Sequence, residues 1–256
     1  MTTDGGDLAA AGLHLAIEDA VATVTLSRPN RRNAMTPSMW RGLARIGSLI
    51  PHDVRVVVVK GEGPSFCAGI DLRLFTPEGV PGEEHDLDPS SPGFDRVIAS
   101  YQAGYTWLRD PRFVSIAAVQ GHAMGGGFQL ALACDLRVLA DDAQLCMKEP
   151  ALGLVPDLTG SKPLVDIVGL PRALEICLTT RMVGASEASQ LRLAELVVPG
   201  DQLESAVADL VAALLATDAR AARATKALLQ QAPANTLEQQ YAAERGAQQA
   251  LLRQRR

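Results

Sequence analysis

The chain carries two glycine-bearing segments about fifty residues apart, Ser65-Phe66-Cys67-Ala68-Gly69-Ile70-Asp71 and Gly121-His122-Ala123-Met124-Gly125-Gly126-Gly127-Phe128. Each follows an apolar, β-branched run, Val54–Val59 before the first and Val114–Val119 before the second. Each is followed by residues with helical character. A strand, a tight small-residue turn and a helix leave free backbone N–H groups at the helix start. Two such turns facing each other would form a two-donor oxyanion hole, suited to an enolate or a tetrahedral oxyanion. Either turn alone would read as a tight connection and no more. No GxGxxG, GxxxxGK[ST] or GxSxG occurs, so the usual dinucleotide, P-loop and serine-hydrolase readings of glycine-rich turns fail.

The rest of the chain frames these turns. Leu13–Ile17 and Val21–Ser27 alternate around Glu18-Asp19 and predict a β-hairpin. Thr36-Pro37 predicts an N-cap with proline at N1, opening a helix through about Ile50. Arg55–Lys60 and Phe113–Gln120 predict strands. Phe94–Arg109 predicts an amphipathic helix and Gly126–Ala133 a buried one. Residues 76–93, with four prolines and a cluster of acids, predict a mobile surface loop. Leu136–Leu139 and Gln144–Met147 predict short strands. From Leu158 onward helical periodicity dominates, broken at Gly169, Gly184 and Pro199-Gly200. Segments near 202–215, 219–231 and 237–252 predict helices. The order suggests an α/β core over residues 1–198 and a helical part over 199–256. Apolar stripes on those last helices predict burial against other subunits.

Composition narrows the function. A length of 256 residues allows one large domain, and 47% hydrophobic residues supply a sizeable core. A net charge of −5 gives no reason to expect nucleic-acid binding. No basic residue precedes Arg28, so a signal-peptide n-region is not expected. No apolar stretch reaches the ~18 residues that would cross a bilayer. Cys67, Cys134, Cys146 and Cys177 show no CxxC spacing and fit buried positions in a reducing cytoplasm. The four histidines are scattered and no HExxH occurs, so no metal site is expected.

With these residues in view the chain resembles the crotonase superfamily, the enoyl-CoA hydratase/isomerase family. The matching stretches are Arg28-Pro29-Asn30-Arg31-Arg32-Asn33-Ala34, the turn at 66–71, Ala118–Val138, Leu152–Asp157 and Gly169–Gly184, over roughly residues 13–245. The resemblance implies an α/β fold, a crotonase-like spiral of ββα turns with a C-terminal helical trimerisation region. It implies trimers or hexamers, an acyl-CoA thioester as substrate, a cytoplasmic enzyme, and no cofactor apart from the coenzyme A of the substrate. It places the oxyanion donors at the backbone N–H groups of Ile70 and Gly126, with Ala68, Gly69 and Gly125 beside the substrate. Loss of one such donor typically costs about 3–4 kcal/mol of transition-state stabilisation. Arg31 would meet the CoA phosphates, as the guanidinium geometry allows, or would be a solvated basic turn. Lys226 matches a region where a neighbouring subunit touches CoA.

The acids decide the reaction. Family hydratases use two glutamates, and these positions hold Gln129 and Glu149 here. A glutamine can orient water but cannot accept a proton at neutral pH. One carboxylate suffices for a double-bond shift, with Glu149 as the proton carrier. Asp157 lies eight residues beyond Glu149, the offset of the acid/base pair in family dienoyl-CoA isomerases, although such enzymes usually keep a third acid at the Gln129 position. Asp157 would otherwise be a helix N-cap before Leu158-Thr159-Gly160. His122 in the second turn is expected to pack locally. The sequence favours enoyl-CoA double-bond isomerisation, leaving open a single-glutamate hydratase and a non-catalytic acyl-CoA binder.

Overall fold

Val54–Val59 is apolar everywhere except Arg55, and a strand turns successive side chains to opposite faces. Such a run must be covered on both sides. The computed structural model, which describes residues 3–83 and 90–253, supplies both covers. Val57 and Val59 enter a large core with Trp40, Tyr101, Tyr105 and Phe128. Val56 and Val58 enter a second cluster with Ile116, Val138, Leu203 and Val207.

The strands are β1 (Leu13–Glu18), β2 (Val21–Leu26), β3 (Val56–Gly61), β4 (Val114–Val119), β5 (His122–Met124), β6 (Leu136–Ala140), β7 (Gln144–Cys146), β8 (Val183–Gly184) and β9 (Leu196–Val198). The helices are α1 (Thr3–Ala10), α2 (Pro37–Leu49), α3 (Phe94–Thr106), α4 (Gly126–Ala133), α5 (Ser161–Val168), α6 (Leu170–Thr179), α7 (Ala185–Gln190), α8 (Leu203–Leu215), α9 (Ala219–Gln231) and α10 (Leu237–Arg253). A six-stranded sheet runs β1-β2-β3-β4-β6-β9 and a three-stranded sheet runs β5-β7-β8. β1 and β2 form the expected antiparallel hairpin, with Asp19 at positive φ in its turn. From β2 to β9 the large sheet is parallel. The register aligns Val24 with Val59 and Val59 with Ala117, so the FCAGID and GHAMGGG segments leave neighbouring strands at the same end of the sheet.

Thr36 caps α2 by accepting the Met39 N–H at 3.3 Å, with Pro37 at N1. That helix and α3 cover the large core. In the expected loop, residues 76–83 and 90–93 are not in helix or strand, and residues 84–89 lie outside the described residues.

Three expectations change. The stretch beyond Leu158, expected to be dominated by helix with breaks at Gly169, Gly184 and Pro199-Gly200, also contains β8 and β9. These strands have two and three residues and pair with edges built earlier, β7 and β6, so they leave no local alternation to read. His122, expected inside a turn, lies in β5, and the turn proper begins at Gly125. Lys226, expected at a neighbouring subunit's CoA, is buried. Its ammonium donates to Asp110 O at 2.8 Å, Phe113 O at 2.7 Å and the Asp135 carboxylate at 2.7 Å. Three donors meet three acceptors, and nothing is left for a ligand.

The last helices divide in role. Leu203, Val207, Leu210, Val211 and Leu214 of α8 cover the outer face of the large sheet. α9 is pinned by Lys226. α10 packs on α9 and has no buried residue.

Asn33 joins the Arg28–Asn33 turn to the first glycine segment. It is fully buried at positive φ. Its amide donates to Ser65 O at 2.8 Å, Glu62 O at 2.9 Å and Phe66 O at 3.1 Å, and its carbonyl accepts the Arg28 N–H at 2.8 Å. Asn33→Ala strands these groups and puts alanine, which tolerates the left-handed region less well than asparagine, at this position. It is expected to destabilise the fold by about 2–4 kcal/mol, read from the urea-unfolding midpoint; an unchanged midpoint refutes the assignment.

Candidate active site

The two glycine segments are stitched together by backbone. The Cys67 N–H donates to His122 O at 2.8 Å, and the Met124 N–H donates to Cys67 O at 2.9 Å. A second connection runs to Met35, whose N–H donates to Gly69 O at 2.7 Å and whose carbonyl accepts the Asp71 N–H at 2.9 Å. These bonds occupy both neighbours of Ile70 and leave its own N–H without an acceptor among the described residues. Gly126 is the first residue of α4, so its N–H has no intrahelical partner. The two free N–H groups lie on adjoining turns: a β-carbon on Gly69 would stand 3.5 Å from Gly126 N and 2.5 Å from Met124 O. Only glycine permits that approach, and Gly69 also has φ of 82°.

A buried aromatic frame holds the second donor. The Tyr105 hydroxyl lies 3.3 Å from Gly126 O, as a donor, and accepts the Trp40 Nε1–H at 3.1 Å. Beyond the first donor, Asp71 is clamped by Arg73 at 2.7 Å and Arg28 at 3.1 Å. The Arg73 hydrogen bond leads in holding its carboxyl down to about 2.

Glu149 opens the 3-10 turn Glu149–Leu152 and is buried. Its Oε1 accepts from Gln129 Nε2 at 2.6 Å. Its Oε2 is buried and has no partner among the described residues. Gln129 is itself saturated: its Oε1 accepts the Leu158 N–H at 2.9 Å and the Gly160 N–H at 3.0 Å. Burial raises the Glu149 pKa above the ordinary glutamate value, partly offset by hydrogen bonds that include Gln129's. The Asp157 charge adds to the rise. Burial also raises Asp157, which is half-buried.

A cavity of about 700 Å³ connects these groups, within the usual range for small-molecule sites. Ala68, Gly69, Ile70, Gly125 and Gly126 line one side and Glu149 and Asp157 another. Trp40, Tyr101, Phe94, Ile98 and Leu158 supply apolar walls, and Leu72, Phe75, Leu154 and Val155 an exposed apolar rim. Lys148 is its only cationic lining residue among the described residues.

The structure therefore brings together Ile70, Gly126, Ala68, Gly69, Gly125, Glu149 and Asp157. It does not bring Arg31, which is exposed on the 3-10 turn Pro29–Arg31 and outside the cavity lining. Gln129 sits behind Glu149 and does not line the cavity. Asp157 is not a helix cap, because α5 opens four residues later, after Gly160. His122 lies 3.3 Å from the Ser65 hydroxyl, outside the cavity. Sequence reasoning missed Trp40, Tyr101 and Tyr105. They fall on the buried stripes of α2 and α3, where they look like ordinary core, and only Gly104 between the tyrosines hints at close helix packing.

Two donors on adjoining turns, a buried carboxylate and an apolar cavity define the crotonase superfamily arrangement, and the comparisons agree. The enoyl-CoA hydratase/isomerase family model matches residues 16–256. The chain belongs to this family of enzymes. It is 60% identical to a Thermobifida fusca YX candidate enoyl-CoA hydratase whose structure contains CoA, with a TM-score of 0.94 over 98% of this chain and 96% of that one. A structure of the Thermobifida fusca YX candidate hydratase with acetoacetyl-CoA superposes at a TM-score of 0.95, over 98% of each chain. The chain is 32% identical to the peroxisomal Δ(3,5)-Δ(2,4)-dienoyl-CoA isomerase of Arabidopsis thaliana, over 83% of this chain and 78% of that protein. It is also 32% identical to a hydroxycinnamoyl-CoA hydratase-lyase of Pseudomonas fluorescens, over 82% and 75%.

The Glu149 environment has a consequence for stability. A carboxyl whose folded pKa exceeds its unfolded value binds protons more tightly in the native state. Its stabilising contribution is complete below the ordinary glutamate range and is lost as pH rises through the raised value. Glu149→Gln removes that loss and keeps the bond from Gln129. Urea unfolding at a series of pH values should show the variant gaining on the parent as pH rises toward neutrality. A constant gap between the two curves contradicts the assignment.

Proposed function

We propose that the protein isomerises a carbon–carbon double bond in an enoyl-CoA thioester. One observation carries the reading: Glu149, whose Oε2 is buried without a partner among the described residues, lines the same cavity as Ile70 and Gly126, while the position of the second hydratase acid is an amide that moves no proton. The thioester carbonyl accepts the N–H groups of Ile70 and Gly126. The Glu149 carboxylate removes a proton from the α-carbon, and the electron pair moves onto the carbonyl oxygen as a dienolate. Two preorganised donors in a water-poor site stabilise that charge. The proton returns to the γ-carbon, the double bond shifts, and Glu149 is ionised again. A raised carboxyl pKa suits a group that must both take and return a proton near neutral pH.

Asp157 extends the reading to conjugated substrates. It lines the same cavity and is also raised by burial. In a 3,5-dienoyl thioester it would deliver the proton to the distal carbon. The similarity to the Arabidopsis dienoyl-CoA isomerase supports this use. Hydration by Glu149 alone is the second reading, favoured by the 60% identity to the Thermobifida fusca protein. The CoA complexes of that protein support a CoA thioester as the ligand in either case.

The test is a panel of 3-enoyl, 3,5-dienoyl and 2-enoyl CoA thioesters with separately measured binding. Glu149→Gln is expected to lower isomerisation by about 10²–10⁴-fold or more with little change in affinity. Asp157→Asn should spare 3-enoyl turnover and impair 3,5-dienoyl turnover. Crotonyl-CoA hydration should be slow. Full activity in Glu149→Gln overturns the mechanism, fast hydration favours the second reading, and binding without any turnover makes the protein an acyl-CoA carrier.

The assembly we propose is a homotrimer or a pair of trimers. α10 is 17 residues long with nothing buried, and Leu237, Tyr241 and Leu252 are exposed on it. Leu170, Leu174 and Leu178 form an exposed stripe along α6 at helical spacing. Burial against other copies of the chain removes both from water. Light scattering at micromolar concentration is expected to give a mass of three or six chains; a monomer counts against it.

A further inference from the structure

We infer that Gln129 is a positioning residue that sets the reaction type: it holds Oε1 of Glu149 and leaves no acceptor on its own side chain for a water molecule. This rests on the reading of Glu149 as the proton carrier.

The orientation of the Gln129 amide is decided by its surroundings. Its carbonyl oxygen accepts two backbone N–H groups, from Leu158 and Gly160. Reversal would aim the amide NH₂ at two donors. The NH₂ must therefore face Glu149 Oε1, which it reaches at 2.6 Å. Both acceptor sites of that carbonyl are taken, and Gln129 is fully buried. Addition of water needs a second group that can accept a hydrogen from it, and Gln129 has none to offer. The bond from Gln129 fixes the carboxylate at Oε1, and the same carboxyl both removes the proton and returns it, as a 1,3-shift along an acyl chain allows.

Gln129→Glu separates the two jobs of this side chain. One oxygen of the new carboxylate keeps both backbone N–H bonds, so the 158–160 segment stays in place. The other faces Glu149 Oε1 across the former hydrogen bond. Two carboxylates at that range share a proton and titrate as a coupled pair. They also form an acceptor pair that a water can bridge. The other groups around Glu149 are unchanged by the substitution. These are Lys148 and Asp157 on either side of the Glu149–Leu152 turn, Tyr105 from α3, Cys146 from β7 and Cys177 from α6. Burial keeps Tyr105 and the two cysteines protonated, so Asp157 and Lys148 are the charges, common to both proteins.

The experiment uses full-length protein carrying ¹³C at glutamate Cδ, with the Glu149 signal assigned by its loss in Glu149→Gln. Its titration is followed by NMR in the parent, Gln129→Glu and Gln129→Met. In both variants at position 129 the Glu149 titration is expected to rise by about one pH unit or more, because the ionised form loses its donor. Gln129→Met reports the same loss without an added charge, should the acid variant fold poorly. In parallel, kcat and KM are measured for 3-enoyl-CoA isomerisation and crotonyl-CoA hydration. The ratio of hydration to isomerisation kcat is expected to rise by at least about tenfold in Gln129→Glu, with KM little changed. A Glu149 titration that does not move overturns the positioning role, and an unmoved ratio overturns its part in choosing the reaction. The NMR arm needs no turnover. A shifted titration in a protein without isomerase activity would therefore refute the proposed function and leave the positioning of Glu149 standing.

Discussion

Two backbone hydrogen bonds, Cys67 N–H to His122 O and Met124 N–H to Cys67 O, set the geometry on which the site depends. They bring two turns from neighbouring strands to the same height. Ile70 and Gly126 are then the residues whose N–H groups face an opening instead of a carbonyl. The donors need no reorganisation when charge develops, which is where such a site has its advantage over water. Side-chain packing could not set their spacing as tightly, since a β-carbon on Gly69 would meet Met124 O.

Around this hinge the protein accepts local costs. Glu149 and Asp157 are both placed where burial opposes their charge. Glu149 Oε2 lacks any partner among the described residues, and an unsatisfied buried acceptor is unfavourable by roughly 1–3 kcal/mol. Nearby groups are treated differently. Asp71, one residue from the first donor, is neutralised by two arginines. Lys226 meets three oxygens. Glu149 and Asp157, by contrast, are cavity-lining carboxyls with no cationic partner among the described residues, as expected where activity and stability trade against each other.

In the proposed reaction the chemistry divides on one residue. With an acid at position 129, the site would contain two groups able to exchange protons with water. With Gln129 it contains one such group held by an amide, and a second acid, Asp157, further along the cavity. Oxyanion stabilisation is common to hydration and isomerisation, so the backbone alone does not choose between them. The choice lies in how many proton carriers face the acyl chain and which of their oxygens are free.

The two strand–turn–helix segments with their glycine turns, the Thr36 cap and the buried α4 were legible in the sequence, because each rests on local periodicity or on glycine where a β-carbon would not fit. Glu149 and Asp157 were legible as candidates through the family resemblance, which places acids at these two positions. What the chain order could not show was pairing across distance. β8 and β9 exist only because β7 and β6 offer edges to them. The Trp40–Tyr105–Gly126 chain and the Gln129 bonds to Leu158 and Gly160 join residues 21 to 65 positions apart. Lys226 was read as reaching outward and turns inward, since the acceptors that hold it belong to a loop more than a hundred residues away. Residue types and local spacing determined which candidate groups were available; the tertiary structure decided which of them are buried together and which Glu149 oxygen is held by Gln129, because burial and hydrogen-bond saturation are properties of the packed molecule alone.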